Sequence, residues 1–372
     1  MSNKWDMIYS AWRVGEAAKS FRRLADTYNE LAFVRSNEYK SAIVMQLVQM
    51  AAILESFTDD EAVNRSITSE ERKRFIKLLK TKGVVVTSAT FLERDKKYDE
   101  IILNAYFSKK KCMTSRELAG IISDYFEKRY IASDNSRMII NNEPDEYTFV
   151  TAPQFKSICE VSQVSKKGNR LSGDSFSMSR LGCGKEVVCI VDGMGSGVMA
   201  NHDSKIVIEL LEQFLEAGFS EQAAINMINA AFSVNDYVGN PITLDMCVMD
   251  MYLGVCNCIK LGAVSTFIKR NGWVEIIKST TLPMGVFEHV DYDDTVKKLY
   301  DGDVIVMVSD GVIEAFDVED KEEMLVNIIS EISGKNPKRI ADTILEKALE
   351  SSKGEALDDM TVVVVMVNFD KN

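Results

Sequence analysis

Runs of strand-forming residues fill the last 220 or so positions of this chain, and several are separated by only a few residues. Parallel neighbours need a crossover of about a dozen residues, so strands this close together pair as antiparallel hairpins. Asn271-Gly272 is a typical hairpin turn, because both central positions of a type I′ turn need positive φ. The chain is therefore expected to form antiparallel sheets. The predicted strands are 155–164, 174–181, 187–191, 243–252, 255–261, 263–270, 273–278, 304–308 and 362–367.

Helical segments interleave with these strands and complete the expected architecture. Pro337 suits the first turn of the last helix, where its missing N–H costs nothing. Sheets with one apolar face pack against each other and against amphipathic helices. We therefore expect an α+β domain over 146–372, a sandwich of two antiparallel β-sheets flanked by helices. The predicted helices are 198–217, 221–235, 320–332 and 338–351.

The residues before this domain show a different pattern of apolar side chains. Apolar side chains alternate at steps of three and four through the first thirty residues, which is the seam of a coiled coil. Such a helix either self-associates as a homodimer or packs on its own domain. We predict a helical regulatory region over 1–80 and a small α/β segment over 81–145, ending in a loop-like stretch. The seam residues are Met7, Ser10, Val14, Ala17, Phe21, Leu24, Tyr28 and Leu31.

Composition excludes several classes of function. A formal net charge of -12 repels a polyphosphate backbone, so nucleic acid is not an expected partner. The seven cysteines are odd in number and contain no C-x-x-C pair, which is typical of reduced cytosolic thiols. Two histidines are too few for a His-rich zinc site. No apolar run is long enough for a membrane span or a signal peptide, so a cytoplasmic protein is expected.

Carboxylates at strand ends are the main candidates for chemistry. Each of four motifs places an aspartate where a strand meets a turn, and no lysine or arginine adjoins it there. A shared divalent metal would offset the cost of burying these charges. The alternative is turn chemistry alone, since Asp caps its own backbone and Gly supplies positive φ. The motifs are Ser172-Gly173-Asp174, Asp192-Gly193-Met194-Gly195, Ser309-Asp310-Gly311 and Asp358-Asp359-Met360-Thr361.

The glycine series at 193–197 has a second interpretation. Gly195-Ser196-Gly197-Val198-Met199-Ala200 fits the G-x-G-x-x-A variant of the dinucleotide fingerprint. Against this, Asp192 would point a negative charge at a pyrophosphate, and no alternating βαβ series follows. A backbone that comes close to a metal explains the glycines better.

The motifs in this order resemble the phosphatase domain of the stage II sporulation protein E family, a bacterial branch of the metal-dependent, type 2C-like serine/threonine protein phosphatases. The resemblance covers roughly 150–368, and the segments before it are similar to that family's cytosolic regulatory region. This chain lacks the family's multi-spanning membrane segment. The motifs are S-G-D-S at 172–175, D-G-M-G-S-G at 192–197, T-L-D-M-C-V-M-D at 243–250, F-I-K-R at 267–270, L-P-M-G at 282–285, S-D-G-V at 309–312 and D-D-M-T-V at 358–362.

The resemblance implies metal ligands and their roles. Asp192 would bridge two ions, with the Gly193 carbonyl as a further ligand, and Asp174 would complete the site. Asp310 and an aspartate of D-D-M-T would hold the second ion. All-oxygen ligation suits Mn²⁺ or Mg²⁺, two per site, rather than zinc.

Two assignments follow from the same motifs. Of the pair Asp358 and Asp359, both candidate ligands, Asp358 is favoured because it matches the first Asp of the type 2C motif D-N-M-T. Arg170 is the nearest candidate for binding phosphate, or else a solvated charge at a strand end.

The chain is accordingly expected to be a protein serine phosphatase controlled by its N-terminal helices. By resemblance, its substrate would be a phosphorylated anti-sigma factor antagonist, a small STAS-type protein in the switching of a sporulation sigma factor. A non-catalytic regulatory protein that uses the same fold to bind a partner is the alternative. A cysteine phosphatase is excluded, because no cysteine opens a C-x-x-x-x-x-R loop; Cys183, Cys189 and Cys247 are interpreted as core or strand residues.

Overall fold

The protein is described from a computed structural model, and its contacts form two compact units that divide between Pro153 and Gln154. Each unit is treated separately below. The structure describes residues 67–95, 98–108, 112–133, 136–181, 184–193, 195–217, 219–233, 241–286 and 292–370, together with 19, 21–26, 44, 47–48 and 51.

The described part of the first unit contains a four-stranded antiparallel sheet, a two-stranded sheet and the helices Ser69–Lys82 and Ser115–Phe126. Phe75 of α1 and Leu118 of α2 are fully buried in the same core as the central strands. The last strand of this sheet, Asp145–Thr151, includes residue 146, the predicted start of the next domain, so the division lies eight residues further along the chain. The elements are α1 (Ser69–Lys82), β1 (Val84–Asp95), β2 (Tyr98–Phe107), β3 (Met113–Thr114), α2 (Ser115–Phe126), β4 (Tyr130–Ala132), β5 (Ile139–Ile140) and β6 (Asp145–Thr151).

The second unit contains two five-stranded antiparallel sheets, in the orders β14-β11-β10-β9-β8 and β13-β12-β15-β16-β7. Its elements are β7 (Phe155–Val164), β8 (Asp174–Arg180), β9 (Lys185–Asp192), α3 (Val198–Glu216), α4 (Glu221–Ser233), β10 (Thr243–Asp250), β11 (Val255–Leu261), β12 (Thr266–Arg270), β13 (Trp273–Ile277), β14 (Asp293–Lys298), β15 (Asp303–Val308), α5 (Asp310–Glu314), α6 (Lys321–Glu331), α7 (Pro337–Ser351) and β16 (Met360–Phe369).

Alternate residues of the two sheets face each other and form the inner core, which includes Val188, Met249, Ile305 and Val363. A second core lies where α5, α6 and α7 cover the outer face of the sheet that contains β16. This is the predicted sandwich flanked by helices. Asn271 and Gly272 have φ of 46° and 89°, which confirms the turn between β12 and β13.

Two elements of the second unit are missing from the sequence prediction. Strand β14 is polar at most positions and lies at a sheet edge, where its exposed and half-buried residues alternate and little hydrophobic signal is needed. Helix α5 is one short turn that begins at Asp310.

The N-terminal predictions fall mostly outside the described residues, as does Lys109-Lys110-Lys111. Residues 21–26 are helical and belong to the second unit. Phe21 and Leu24 of the predicted seam are buried there, and the Phe21 ring lies 5.0 Å from that of Phe219. At these positions the seam packs on the chain's own domain. Among the described residues, no helix combines the length and apolar character needed to cross a membrane.

Candidate active site

The four predicted aspartates converge at one end of the sandwich. Asp174 opens β8 and Asp192 closes β9, and the two residues are directly opposite each other in the antiparallel pair. Asp310 is the first residue of α5 and is separated from the end of β15 by Ser309, and Asp358 lies two residues before β16. Because β15 and β16 are neighbours, their ends bring the second pair of carboxylates together.

The four aspartates lie close enough for their charges to repel one another. Burial raises the pKa of Asp192 to about 9, and repulsion from Asp174, Asp310 and Asp358 adds to the effect. Partial desolvation, then repulsion from Asp358, raise the pKa of Asp310, whose side chain still reaches solvent. Carboxylates so close together disfavour their own ionised forms unless a cation joins them.

Asp174 provides a test of whether a metal fits this cluster. Burial raises its pKa to about 6, against hydrogen bonds that lower it. Its Oδ2 accepts a hydrogen bond from Thr361 Oγ1 at 2.6 Å, whereas its Oδ1 is buried and has no partner. A buried carboxylate oxygen without a donor is costly, and a hard divalent cation would satisfy it. The candidate ligands, carboxylate oxygens and the Gly193 carbonyl oxygen, are all oxygens, which fits Mn²⁺ or Mg²⁺.

The adjacent residues Asp358 and Asp359 have different surroundings. The Asp359 carboxylate is 3% exposed and accepts hydrogen bonds from the backbone N–H of Gly173 at 2.7 Å and of Lys166 at 2.8 Å. It therefore ties the loop before β8 to the start of β16. The Asp358 side chain is 49% exposed and lies 3.4 Å from Lys166 Nζ. The Oδ1 atom of Asp358 accepts hydrogen bonds from Lys166 Nζ and from the Asp359 backbone N–H at 3.0 Å, whereas each oxygen of Asp359 accepts a hydrogen bond from a distant backbone N–H.

Two glycines are required by close approach at this site. A Cβ on Gly193 would stand 2.5 Å from the Ala200 carbonyl oxygen in the first turn of α3, and one on Gly311 would stand 2.2 Å from the Asp359 carbonyl oxygen. Real Cβ contacts are not that short, so only glycine lets these backbone segments meet. Backbone packing therefore explains why both positions are glycine. The expected close approach of the backbone to a metal at Gly193 stays a prediction.

Four further polar residues occupy different positions in this unit. Arg170 is exposed on the loop before β8, and His202 is exposed on α3. Asp245 is buried in the inner core, where it forms an ion pair with Lys260 at 2.7 Å. Asp250, at the other end of β10, accepts hydrogen bonds from the backbone of the following turn.

Sequence reasoning missed residues that hold the aspartates in place. Ser309 and Thr361 are both buried beside Asp174, and the Thr361 backbone N–H donates to Ser309 Oγ at 2.9 Å. Asn201 on α3 donates from Nδ2 to the Ser172 carbonyl at 2.7 Å. Both Ser309 and Thr361 are part of the aspartate motifs. A hydroxyl residue within one or two positions of an aspartate was therefore the sequence signal that could have identified them.

The antiparallel sheets remove the dinucleotide interpretation. Every strand pair recorded among the described residues is antiparallel, so the glycine series precedes α3 outside any βαβ unit.

Comparison with known proteins decides the family. The family model "Stage II sporulation protein E (SpoIIE)" matches residues 183–368, half of the chain. The chain belongs to the stage II sporulation protein E family.

Two curated relatives carry that name. The chain is 27% identical to stage II sporulation protein E of Bacillus subtilis (strain 168) over 327 residues, which are 88% of this chain and 39% of the relative. It is also 27% identical to that of Priestia megaterium over 355 residues, which are 90% of this chain and 59% of the relative. The chain thus spans less than two thirds of the length of either relative.

A solved structure of the Bacillus subtilis protein gives the fold match. It contains the PP2C phosphatase domain and a fragment of the regulatory domain of that cell fate determinant. The match covers 91% of this chain and 98% of that chain, at 26% identity and a TM-score of 0.61. The second unit therefore has the type 2C phosphatase fold expected for the family.

Proposed function

We propose that this chain is a metal-dependent protein serine phosphatase acting in bacterial sporulation. The observation that carries the proposal is the convergence of Asp174, Asp192, Asp310 and Asp358 around a buried, unpartnered carboxylate oxygen. Family membership supports the same activity. Clustered carboxylates repel one another and so destabilise the fold unless they serve a function. This favours an enzyme over the alternative of a non-catalytic binding protein.

The proposed ligands for two Mn²⁺ or Mg²⁺ ions are the side chains of Asp174, Asp192, Asp310 and Asp358 and the Gly193 carbonyl. Bound ions would activate a water for direct attack on phosphorus and offset the charge of the phosphoserine. Asp359 holds the surrounding backbone through its two N–H bonds instead of contacting an ion.

The proposed partners of the phosphate group are two basic side chains, Arg170 and Lys166. Arg170 lies on the same exposed loop as Lys166, between the end of β7 and Asp174. Arginine matches phosphate geometry with two parallel N–H donors, which supports Arg170 as the phosphate-binding side chain. Lys166 already faces Asp358 and would help to balance the negative charge at the cluster.

The proposed substrate is a phosphorylated anti-sigma factor antagonist of the STAS type, whose dephosphorylation would activate a sporulation sigma factor in the cytoplasm. A protein substrate is favoured by exposed apolar side chains that adjoin the site residues in sequence. Met199 and Val198 on α3 are 72% and 69% exposed, and Leu357 next to Asp358 is 66% exposed. A small phosphate ester would make no use of them, whereas a folded partner would bury them.

The proposed activity has a direct test. Purified protein should release phosphate from p-nitrophenyl phosphate and from phosphorylated STAS proteins only when Mn²⁺ or Mg²⁺ is added, because the ligands are metal-binding carboxylates. Phosphate release is measured with and without a chelator. Binding of the phosphorylated partner without turnover would support the non-catalytic alternative. A thermal shift with NAD or ATP in the absence of metal would support nucleotide binding.

The apolar side chains beside the site predict a substrate-specific effect. Met199→Ala and Leu357→Ala should each lower kcat/KM for a phosphorylated STAS protein about tenfold, since exposed anchors at an interface contribute on the order of 1 kcal/mol or more. Their kcat/KM for p-nitrophenyl phosphate should fall less than about twofold. Leu253→Ala is a matched control, because Leu253 is 50% exposed in the turn between β10 and β11. Equal losses on both substrates would contradict a docking role.

The N-terminal region is proposed to regulate this activity and to permit a homodimer. Residues 21–26 pack within the phosphatase unit, which gives an upstream helix a physical contact with it. Deleting 1–80 should change turnover or metal affinity, measured by Mn²⁺ titration of phosphate release. An unchanged titration would count against regulation by this region.

A further inference from the structure

Three cysteine side chains meet inside the sandwich, away from the aspartates. Cys256 and Cys258 are alternate residues of β11 and share its inner face, and Cys247 on β10 is directly opposite Cys258. The Sγ atoms of Cys247 and Cys258 are 3.8 Å apart, those of Cys256 and Cys258 are 3.7 Å apart, and all three lie within 4.8 Å of one another. Each residue is at most 1% exposed.

The spacing of these sulfurs fits a single ion. Sulfurs bonded to one cation at about 2.3 Å, with tetrahedral angles, stand about 3.8 Å apart. Two of the three sulfur pairs already have that separation, so only a small shift of the third would complete the arrangement. Thiolates select soft cations such as Zn²⁺ and Cu⁺.

Two basic side chains lie close to the cluster. Cys256 is directly opposite Lys297 on β14, and Lys260 is two residues after Cys258 on the same face of β11. The thiolate is the form of cysteine that binds metals.

The cluster is separate from the carboxylate site. Cys247 is opposite Val188, four residues before Asp192 on β9, which corresponds to about 13 Å along the strand. The buried ion pair of Asp245 and Lys260 lies between them. The two sites also differ in chemistry, because the aspartates supply hard oxygens and the cysteines supply soft sulfurs.

We propose that Cys247, Cys256 and Cys258 form a structural site for one thiophilic cation, Zn²⁺ or Cu⁺. The site is closed to solvent, so the ion enters while the chain folds and then links β10 to β11. The cysteines bind the ion as thiolates, so binding releases the protons that their thiols carry. This inference does not depend on the phosphatase activity.

The test uses the full chain, produced in cells grown with added Zn²⁺, Cu⁺ or Cd²⁺, purified natively and washed with a chelator. Elemental analysis and native mass spectrometry should find one Zn²⁺ or Cu⁺ per chain, which identifies the ion. The cadmium-grown protein should show ultraviolet thiolate-to-cadmium charge-transfer absorption, which a carboxylate-bound ion does not give. Protein that contains less than about 0.2 equivalents of each ion would overturn the proposal.

Single variants locate the site. Cys258→Ser and Cys256→Ala should each lose the bound ion and the cadmium absorption. Cys189→Ser is the matched control: Cys189 is equally buried on β9 but lies on the opposite face of the sheet. Retention of the ion in both cluster variants, or its loss in Cys189→Ser as well, would contradict the assignment. Two cluster variants are used so that a folding defect in one leaves the result of the other.

Discussion

Asp192→Asn should abolish phosphate release and at the same time stabilise the metal-free protein. The Asp192 carboxylate stands among three others, and its pKa of about 9 expresses how strongly the folded site disfavours its charge. Asparagine has nearly the same shape without the charge. Turnover should fall by about three orders of magnitude, because the bridging ligand of the proposed metal pair is lost. Without metal, the free energy of unfolding should rise by on the order of 2 kcal/mol.

These two effects are measured on the same preparations. Phosphate release is followed with Mn²⁺, and thermal unfolding is recorded in chelator and in excess Mn²⁺. The wild type should gain stability from Mn²⁺, whereas Asp192→Asn should gain little, since a ligand that binds only the folded state stabilises it. Asp317→Asn, at an exposed position, controls for removal of one negative charge. An Asp192→Asn protein that keeps its turnover, or unfolds earlier in chelator, would refute the arrangement of ligands given above.

The second large effect is a difference between substitutions at the adjacent residues Asp358 and Asp359. Asp359→Ala should destabilise the protein by on the order of 3 kcal/mol, because it leaves the buried N–H groups of Gly173 and Lys166 without their acceptor. Asp358→Ala should cost less than about 1 kcal/mol in stability, since its ion pair with Lys166 is solvent-exposed. It should nevertheless lose most Mn²⁺-dependent turnover, as a proposed ligand.

Denaturant unfolding and Mn²⁺ titration of activity distinguish the two outcomes. Glu355→Ala is the control for loss of an exposed carboxylate that pairs with a lysine, here Lys167. If Asp358→Ala proves the less stable protein and Asp359→Ala the one with weakened metal response, the two residues have been assigned the wrong way round.

Much of the site was accessible from sequence because strand ends and glycine turns have strong local signals. Each predicted aspartate did fall at a strand end, and antiparallel pairing then brought Asp174 opposite Asp192. The different proposed roles of Asp358 and Asp359 depend on which of the two carboxylates accepts hydrogen bonds from the backbone of a loop nearly 190 positions earlier. No local pattern contains that contact.

Neither the cysteine cluster nor the buried ion pair was predicted from the sequence, for a related reason. Cys247 was interpreted correctly as a buried strand residue. Its meeting with Cys258, and that of Asp245 with Lys260, depend on the register of β10 on β11. A slip of one residue would send these side chains to opposite faces, and sequence spacing alone does not fix that register. Strand β14 escaped prediction because an edge strand needs few apolar residues.

The position of β16 between β15 and β7 has a consequence for synthesis on the ribosome. The segment that fills the middle of this sheet is translated after all the strands it joins, and it brings Asp358 and Asp359 with it. Until it emerges, the flanking strands have unpaired edges that are open to misassembly. A nascent polypeptide therefore completes the cluster of aspartates only after the segment that contains β16 has been synthesised.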